Sequence, residues 1–590
     1  MASTLFIGRI ITMEERAAGS SPNSAAAVPA AVLAATPDAA PDAAPDAVLV
    51  EGDRIVAVGA QHELRALAKT DTEIVELGTN CLMPGLIEPH GHPSISAVLM
   101  SDYVLDIRPV TLATADEVMA ALRAAIGERS GGSSGDAGGT SSRSIGGASD
   151  TGDTSGGKPG GVFANGWDPL LQNGLVNPTI SELDTLAGDM PLVIVHNSGH
   201  SVFFNTAAAR IAGVTDETPD PPGASFGRDE NGRLTGVGTE AAAVFQIAGP
   251  GLNRAQGDFV RVFGDEIARA NRAGITTIAD MSWEAATDAG LAAMRTQHPL
   301  TARLRLYEMS APGAHATATL GTGDDLVRHI GIKMWADGSP WIGNVATSFP
   351  YLDTPATQAM GLEPGHRGAL NFTSEQILAI ARQYAPDGWQ LACHAHGDLA
   401  VDATLDAWQQ VIEENHLTGH RFRLEHVGAM TPAQFERAAA LGITVSIFSD
   451  HVYYWGDVLV DDLFGPQNGG RWADTASALA AGLEPSFHND GTVTPLEPFR
   501  NMATAMTRRT RSGRVLDQAA GIGVVDALKA HTMSAAKQLF ADDIVGSITP
   551  GKYADLIVID RDPFAVTPEQ LAETRVVATY FAGALVTPVL

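Results

Sequence analysis

Short runs of consecutive apolar residues recur along the chain, and many are separated by segments in which apolar residues repeat with the period of a helix. A strand buried inside a parallel sheet is apolar on both faces, whereas a covering helix is apolar on one side only. The alternation therefore predicts repeated strand–helix units. Eight runs fit the strands of such units: Leu82–Glu88, Thr276–Asp280, Ala302–Tyr307, Gly331–Trp335, Gln390–His394, Phe422–His426, Thr444–Phe448 and Glu484–His488.

Eight strand–helix units favour an α/β fold in which the strands close into a (β/α)8 barrel, with a doubly wound open sheet as the alternative at this point. We assign residues 84–542 to the barrel. Within this range, residues 93–262 exceed the length of one crossover, and we expect them to form an excursion that covers the barrel mouth. Active sites of barrels lie at the carboxyl ends of the strands, so polar residues at these ends are the candidates for chemistry.

Both ends of the chain carry short segments of alternating polar and apolar residues, which are typical of β-strands. Four such segments stand near the ends: Thr4–Thr12, Ala47–Val58, Gly546–Asp560 and Val576–Val586. The two ends resemble each other and differ from the long α/β region between them. This pattern predicts one small β domain assembled from residues 1–83 and 543–590.

Two segments of unusual composition interrupt these regions. Residues 17–47 are rich in Ala, Pro, Asp and Ser, and residues 129–160 are rich in Gly and Ser. Both have few large apolar side chains whose burial could offset the entropy lost on ordering. We predict a flexible loop inserted in the terminal β domain and a disordered linker inside the excursion.

Composition and charge narrow the class of protein. The chain has 590 residues, 45% hydrophobic and 18% charged, which provides apolar surface for a large core. It carries 38 Lys+Arg against 68 Asp+Glu, and a formal net charge of -30 disfavours nucleic acids and anionic membranes as partners. The chain has two cysteines, an N-terminus without a secretory signal and no run of about 18 apolar residues. These features predict a cytoplasmic protein, and we expect its partner to be a small-molecule substrate. A homo-oligomer is left open.

Four histidines and one aspartate stand at the ends of predicted barrel strands. His90 and His92 follow the first strand, and side chains two residues apart on an extended segment point the same way, so both imidazoles can reach one metal ion. His394 ends the fifth strand and His426 ends the sixth. Asp490 follows the eighth strand, where a carboxylate can bind a metal or accept a proton from water, or else form a turn. Each histidine alone also fits a hydrogen-bonded core or surface position, but the set favours a metal site.

Lys333 lies inside an apolar strand and is the one lysine between Lys158 and Lys529. Burial of a lysine favours the neutral amine. A neutral amine can take up carbon dioxide to form a carbamate, an anion that can bridge two cations. An ion pair with Asp337 or Glu240 is the alternative.

Six separated motifs occur in a fixed order along the chain: PGLIEPHGH, KMWADGS, HAHGD, LEHVG, HND followed by TPLEP, and GSITPGKYADLIVID. Together they resemble the amidohydrolase superfamily, specifically its N-substituted formamide deformylase-like branch. The segments GWD, SGHSVFFN and PPGASFGRDENGRLTGVGTE of the excursion fit the same branch. The resemblance extends over nearly the whole chain apart from the two insertions.

The resemblance implies a (β/α)8 barrel with a small β-sandwich and a metal centre at the barrel mouth. The implied metal ligands are His90, His92, Lys333, His394, His426 and Asp490. The first histidine pair would hold one ion and the second pair another, with the lysine bridging them as a carbamate. The aspartate would bind the first ion and act as general base. One or two divalent ions are expected, and the histidine and carboxylate ligands suit zinc.

The resemblance also implies substrate-binding residues, which are Trp167, His200, Glu240 and Asp337. Four further polar residues near the strand ends have no assigned role: Glu88, His396, His451 and His488. We expect metal-dependent hydrolysis of a carbon–nitrogen bond, of amide or N-formyl type, in a small organic substrate. A deaminase, an ester or phosphotriester hydrolase with the same centre, and a catalytically silent binding protein are the alternatives.

Overall fold

The computed structural model describes residues 2–14, 44–130 and 160–587. Apart from their end residues, the predicted loop 17–47 and the predicted linker 129–160 lie outside the described residues. The chain divides into two compact units, one formed by Met1–Met100 with Asp258–Leu590 and the other by Ser101–Gly257. The domain boundaries expected from the sequence stay predictions.

The strands are β1 (Ser3–Ile10), β2 (Ala47–Glu51), β3 (Arg54–Gly59), β4 (Glu73–Pro84), β5 (Leu86–Gly91), β6 (Leu105–Asp106), β7 (Val162–Trp167), β8 (Leu192–His196), β9 (Ser201–Phe204), β10 (Ser225–Arg228), β11 (Leu234–Thr239), β12 (Ile275–Trp283), β13 (Arg303–Met309), β14 (Val327–Trp335), β15 (Gln390–Ala395), β16 (Arg423–His426), β17 (Thr444–Ile447), β18 (Ser486–Phe487), β19 (Leu556–Ile559), β20 (Val576–Phe581) and β21 (Ala584–Thr587).

The α-helices are α1 (Gln61–Leu67), α2 (Pro93–Leu99), α3 (Ala115–Ser130), α4 (Ile180–Ala187), α5 (Thr206–Ala212), α6 (Ala241–Gly257), α7 (Phe259–Arg272), α8 (Asp288–Gln297), α9 (Pro355–Ala359), α10 (Ser374–Tyr384), α11 (Asp398–Asn415), α12 (Pro432–Ala440), α13 (Asp450–Val458), α14 (Gly465–Asn468), α15 (Thr475–Ala480), α16 (Pro498–Thr507), α17 (Val524–Ala530), α18 (Met533–Gln538) and α19 (Pro568–Ala572).

Eight parallel strands of the first unit form a nearly closed barrel in the order β5, β12, β13, β14, β15, β16, β17, β18. Consecutive strands in this order pair in parallel. Between the two end strands, the backbone N–H of Asn489 donates a hydrogen bond of 2.8 Å to Oε1 of Glu88. The eight predicted strands and the barrel are confirmed, and polar residues after each strand therefore meet at one end.

The first predicted barrel run, Leu82–Glu88, is in fact divided between two sheets. Residues 82–84 end β4 of the terminal sheet, and the barrel strand begins at Leu86. Gly85 stands at the change, where an added Cβ would lie 2.2 Å from Oγ1 of Thr276. An apolar run has the same appearance in either sheet, so the sequence did not indicate this boundary.

Both chain ends contribute to one seven-stranded sheet with the order β21, β20, β19, β4, β1, β2, β3. Strand β4 pairs in parallel with β1 and antiparallel with β19, so it joins the N-terminal strands to the C-terminal ones. Consecutive residues of β1 are buried on opposite faces of this sheet, because Leu5 belongs to one apolar cluster and Phe6 to another. Both chain ends therefore share one sheet, which lies in the same compact unit as the barrel, and a separate β-sandwich domain is not confirmed.

A buried ion pair connects the barrel to the terminal sheet. Arg303 of β13 donates to both carboxylate oxygens of Asp555, at 2.7 Å and 3.1 Å. The guanidinium also lies over the ring of Tyr553, 3.6 Å from its centroid. A bidentate pair of this kind fixes the barrel strand relative to the segment that leads into β19.

The second unit contains a six-stranded sheet with the order β10, β11, β9, β8, β7, β6. One apolar cluster includes Val118 and Leu122 of α3, and another includes Ala243 and Ile247 of α6. Helix α4 begins with a capping box, in which the Thr179 side chain and Glu182 satisfy each other's backbone N–H groups.

No helix among the described residues combines the length and apolar character that crossing a bilayer requires. Both cysteines, Cys81 and Cys393, are buried and not disulfide-bonded. The cytoplasmic location stays a prediction.

Candidate metal centre

The structure brings five of the six predicted metal ligands into overlapping groups at the barrel strand ends, and the sixth contacts one of them. Each group contains ligand atoms that all lie within 4.8 Å of one another: His90 with His92 and Asp490, His90 with His426 and His488, and His394 with His396 and His426. Nζ of Lys333 lies 3.3 Å from Nε2 of His90. Residues spread over 400 positions therefore converge on one small volume.

Nε2 of both His90 and His92 faces Asp490. Oδ1 of Asp490 lies 3.7 Å from Nε2 of His90 and 3.3 Å from Nε2 of His92. The other ring nitrogen of each histidine is held by the protein: Nδ1 of His90 lies 2.7 Å from Oε2 of Glu425, and Nδ1 of His92 lies 2.7 Å from Oγ of Ser282. These contacts orient both rings with Nε2 toward the carboxylate.

The second histidine pair is oriented in a similar way. Nε2 of His394 donates to the carbonyl oxygen of Gly338 at 3.0 Å, which places the lone pair of the neutral ring on Nδ1. Nδ1 of His426 lies 3.0 Å from Nε2 of His488. The rings of His394 and His426 are 4.5 Å apart between centroids, so both can contribute to the same centre.

The electrostatics suit a divalent cation. Burial keeps the pKa values of His90 and His426 well below the ordinary histidine range, with neighbouring charged groups adding to the effect, so both imidazoles are neutral. Burial raises the pKa of Asp490, but His92, together with the nearby His488 and Lys333, more than compensates, and the net shift is downward. Neutral imidazoles and an ionised carboxylate are the protonation states that metal binding requires.

One buried polar atom lacks a hydrogen bond at the place where an ion would sit. Within the described ranges, Oδ1 of Asp490 accepts no hydrogen bond, although the residue is only 8% exposed. A buried carboxylate oxygen without a partner is costly. A cation held between Oδ1 and the two Nε2 atoms of His90 and His92 would remove this cost, so the donor set fits the metal that the sequence implied.

Lys333 is fully buried in β14, and burial lowers its pKa to about 8 against the opposing charges of Glu425 and Asp490. Of the two alternative ion pairs, the one with Asp337 is not formed among the described residues, and the one with Glu240, a residue of the second unit, stays a prediction. Asp337 instead accepts hydrogen bonds from the backbone N–H groups of His396 and Gly397, at 2.9 Å and 2.8 Å. Among the described residues Lys333 forms no salt bridge, although Glu425 and Asp490 are close enough to raise its pKa, and this environment is compatible with the carbamate hypothesis.

Two of the ligand positions have unusual backbone conformations. His426 and Asp490 have φ angles of +68° and +51°, in the left-handed region that non-glycine residues rarely adopt. In β16, Glu425 points toward His90, so regular alternation would turn His426 away from the same side. The positive φ redirects its imidazole, an example of backbone strain at a candidate functional site.

Two histidines with no role assigned from the sequence, His488 and His396, contact the proposed ligand His426. His488 hydrogen-bonds with His426, and its Nδ1 lies 2.8 Å from Oγ of Ser446. His396 stacks on His426 at 4.7 Å between centroids. The contact of Glu425 with His90 was missed altogether. The sequence feature that could have indicated this contact is the pair Arg423 and Glu425, two charged residues on the same side of a short buried strand.

Two other unassigned residues lie beside the centre. Oε1 of Glu88 accepts the hydrogen bond from Asn489, and burial raises the pKa of this carboxyl well above its ordinary value. The ring of His451 stacks on Phe448 at 4.0 Å, next to Trp455, which is 1% exposed. Trp455 belongs to the sequence cluster Tyr453–Trp455, and its burial is that of a packed core residue.

Three of the four predicted substrate-binding residues lie in the second unit. Nδ1 of His200 is 2.8 Å from Oε2 of Glu240, whose φ is +69°. Trp167 ends β7 and is 2% exposed. The fourth, Asp337, organises backbone N–H groups in the first unit. The substrate contacts of all four stay predictions.

Comparisons with known proteins agree with the barrel fold. A model of the amidohydrolase family matches residues 73–587. The N-substituted formamide deformylase of Arthrobacter pascens is 27% identical over 555 residues, which cover 91% of this chain and 94% of that protein.

Solved structures of low sequence identity share the fold. An uncharacterized metal-dependent hydrolase from Pyrococcus horikoshii OT3 has a TM-score of 0.67 at 21% identity and covers 96% of this chain and 99% of its own. One from Pyrococcus furiosus has a TM-score of 0.62 at 20% identity, with 95% and 100% covered. The resemblance inferred from the sequence is confirmed, and the chain belongs to the amidohydrolase family.

Proposed function

We propose that this protein is a metal-dependent amidohydrolase that hydrolyses a carbon–nitrogen bond, of amide or N-formyl type, in a small organic substrate. The observation that carries the proposal is the convergence of two oriented histidines on a carboxylate oxygen that lacks a hydrogen bond, Oδ1 of Asp490. The 27% identity with a deformylase that acts on N-substituted formamides supports the choice of bond.

The proposed centre holds two divalent ions, for which zinc is our choice because imidazole and carboxylate ligands suit it. His90, His92 and Asp490 would hold the first ion, and His394 and His426 the second. Lys333, as a carbamate, would bridge the two. Its burial, its depressed pKa and its position 3.3 Å from His90 support that role.

When bound, divalent ions supply Lewis acidity, which activates water and polarises the carbonyl group of the scissile bond. The carboxylate of Asp490 accepts a proton from the attacking water and returns it to the leaving nitrogen. Its ionised state, supported by the downward pKa shift, suits the first of these steps. The histidine rings do not exchange protons in this scheme, because one nitrogen of each is held by a protein partner and the other would bind an ion.

Metal content and substrate class are best tested on the same purified enzyme. We expect about two equivalents of zinc per chain by elemental analysis, and hydrolysis within a panel of N-substituted formamides, N-acyl amino acids and cyclic amides. The panel also contains nitrogen heterocycles, carboxylic esters and phosphotriesters. Release of ammonia from heterocycles would establish a deaminase instead, and exclusive cleavage of esters would remove the proposed bond type. A metal-loaded enzyme without turnover on any member would favour a binding protein.

A further inference from the structure

We propose that Glu425 is a positioning residue for the metal centre, which Arg423 holds in place and which fixes His90 with its proton on Nδ1 and its lone pair on Nε2. The proposal rests on the metal centre proposed above. It concerns a carboxylate that lies outside the predicted ligand set.

The contact between the two side chains is short and completely buried. Nδ1 of His90 lies 2.7 Å from Oε2 of Glu425, and both residues are 0% exposed. A carboxylate can only accept in this contact, so the ring nitrogen must be the donor. With the proton on Nδ1, the neutral ring presents its lone pair at Nε2, on the side of Lys333 and Asp490.

Arg423 fixes the carboxylate from the other side. Its Nη2 donates to Oε2 of Glu425 at 3.1 Å and to the carbonyl oxygen of Pro89 at 3.0 Å. Because Pro89 directly precedes His90, one guanidinium nitrogen holds both the partner of the imidazole and the backbone that carries it. Displacing the guanidinium would therefore loosen the ring in two ways.

The arginine is itself held within the barrel. Its Nη1 donates to the hydroxyl of Tyr307 at 3.1 Å, and that hydroxyl donates to Oε1 of Gln390. Nε2 of Gln390 donates in turn to the carbonyl oxygen of Gln538, at 2.8 Å. A buried polar network that is connected in this way has few alternative arrangements, which suits a positioning role.

Among the proposed ligand histidines, His90 has a carboxylate at 2.7 Å from its second ring nitrogen, whereas the nearest carboxylate to Nε2 of His394, that of Asp337, is 3.9 Å away. Nδ1 of His92 faces the hydroxyl of Ser282, and Nε2 of His394 faces a backbone carbonyl. A carboxylate partner strengthens an imidazole as a metal ligand, and removal of such a partner weakens metal affinity by about 10- to 100-fold. We therefore expect the loss of Glu425 to act on the ion that His90 holds.

The test measures metal affinity directly. Apo-enzyme is titrated with Zn²⁺ in competition with a chromophoric chelator, and with Co²⁺ to follow the visible ligand-field bands. We expect Glu425→Gln to weaken the binding of one ion by about 10- to 100-fold and to shift the Co²⁺ bands, with the second ion nearly unaffected. The same carbonyl oxygen remains available to Nδ1 in glutamine, so the variant removes the charge with little change in shape.

A single substitution would leave Arg423 buried without its carboxylate, so a charge-neutral double variant, Arg423→Gln with Glu425→Gln, is measured as well. We expect it to fold and to show at least the same loss of affinity, because the hydrogen bond from Arg423 to the carbonyl oxygen of Pro89 is removed as well. Asp555→Asn is the matched control, because it breaks another buried arginine–carboxylate pair of this unit. It should lower thermal stability and leave the metal dissociation constants unchanged.

The outcomes separate the two proposals. Wild-type affinity for both ions in the single and the double variant, with unaltered Co²⁺ bands, would overturn the role of Glu425 and leave the proposed function intact. Equal weakening in Asp555→Asn would show that the effect is general destabilisation and would also overturn it. If wild-type enzyme binds no stoichiometric metal, the proposed function fails and the positioning role fails with it.

Discussion

Oδ1 of Asp490 lies 3.3 Å from Nε2 of His92 although the two residues are almost 400 positions apart in the chain. The barrel creates this relationship, because β5 and β18 are the two end strands of its order and meet where the sheet nearly closes. Asp490, the proposed general base, and His92, a proposed metal ligand, therefore lie together where the first and last strands of the barrel meet.

Replacing the proposed general base should remove turnover and spare the fold. We expect Asp490→Asn to lower kcat by about 10²- to 10⁴-fold, the usual contribution of a positioned acid–base group. Steady-state kinetics measure the loss, and circular dichroism checks the fold. Asp474→Asn is the control, because this buried carboxylate caps α15 and accepts from Ser477. Comparable kcat values for Asp490→Asn and wild type would contradict the assignment.

Removal of the metal should inactivate the enzyme before it unfolds. A metal that binds only the native state adds stability by mass action, so a chelator should lower the thermal midpoint. Because the barrel is held together by backbone pairing and apolar burial, we expect the far-ultraviolet spectrum at 25 °C to stay unchanged while activity disappears. Readdition of Zn²⁺ should restore activity. Unfolding at 25 °C on chelation would point to a structural metal site instead.

Acid should destabilise the metal-free protein through its buried histidines. Burial lowers the pKa of His531 to about 4, so the folded state keeps this ring neutral where the unfolded chain takes up a proton. Between pH 6.5 and about 4, the unfolded state therefore binds the additional proton, and stability falls with decreasing pH by about 1.4 kcal/mol per unit for this group. Urea titrations at pH 7, 6 and 5 measure the free energy of unfolding. We expect this free energy to fall less steeply with decreasing pH in His531→Gln than in wild type. Parallel profiles for the two proteins would argue against this contribution.

The pair of Arg303 and Asp555 should matter for stability and not for chemistry. Asp555→Asn leaves a buried guanidinium without its counter-charge, and we expect a loss of about 3–5 kcal/mol in the free energy of unfolding. Urea titrations give the loss, and kcat at 20 °C should match wild type. A change below about 1 kcal/mol would mean that solvent or another group compensates the arginine.

Much of the fold could be predicted because the signals are local. Several barrel strands are apolar runs, and His394 and His426 lie at or next to the ends of two strands, so together with the other polar strand-end residues they could be picked out as candidates. His90 and His92 follow from strand parity. The boundary at Gly85 between β4 of the terminal sheet and β5 of the barrel was not predictable, and neither was the arrangement of the terminal strands in a single sheet. An apolar run does not specify which sheet it joins.

The supporting contacts of the site could not be predicted for a different reason. Glu425 reaches His90, and Ser282 reaches His92, across strands whose register the sequence does not state. The inward direction of His426 depends on a positive φ that strand alternation contradicts. Side chains that act through a neighbour carry no motif of their own, so only coordinates reveal them.

The position of β4 between β1 and β19 also has a consequence for synthesis of the protein. The N-terminal strands leave the ribosome long before Leu556–Ile559 are translated, and until then one hydrogen-bonding edge of β4 lacks its partner. Unpaired edges are templates for aggregation. Nascent chains that stop short of Leu556 should therefore depend on chaperones, and a shortened C-terminus should reduce yield far more than its small apolar content would indicate.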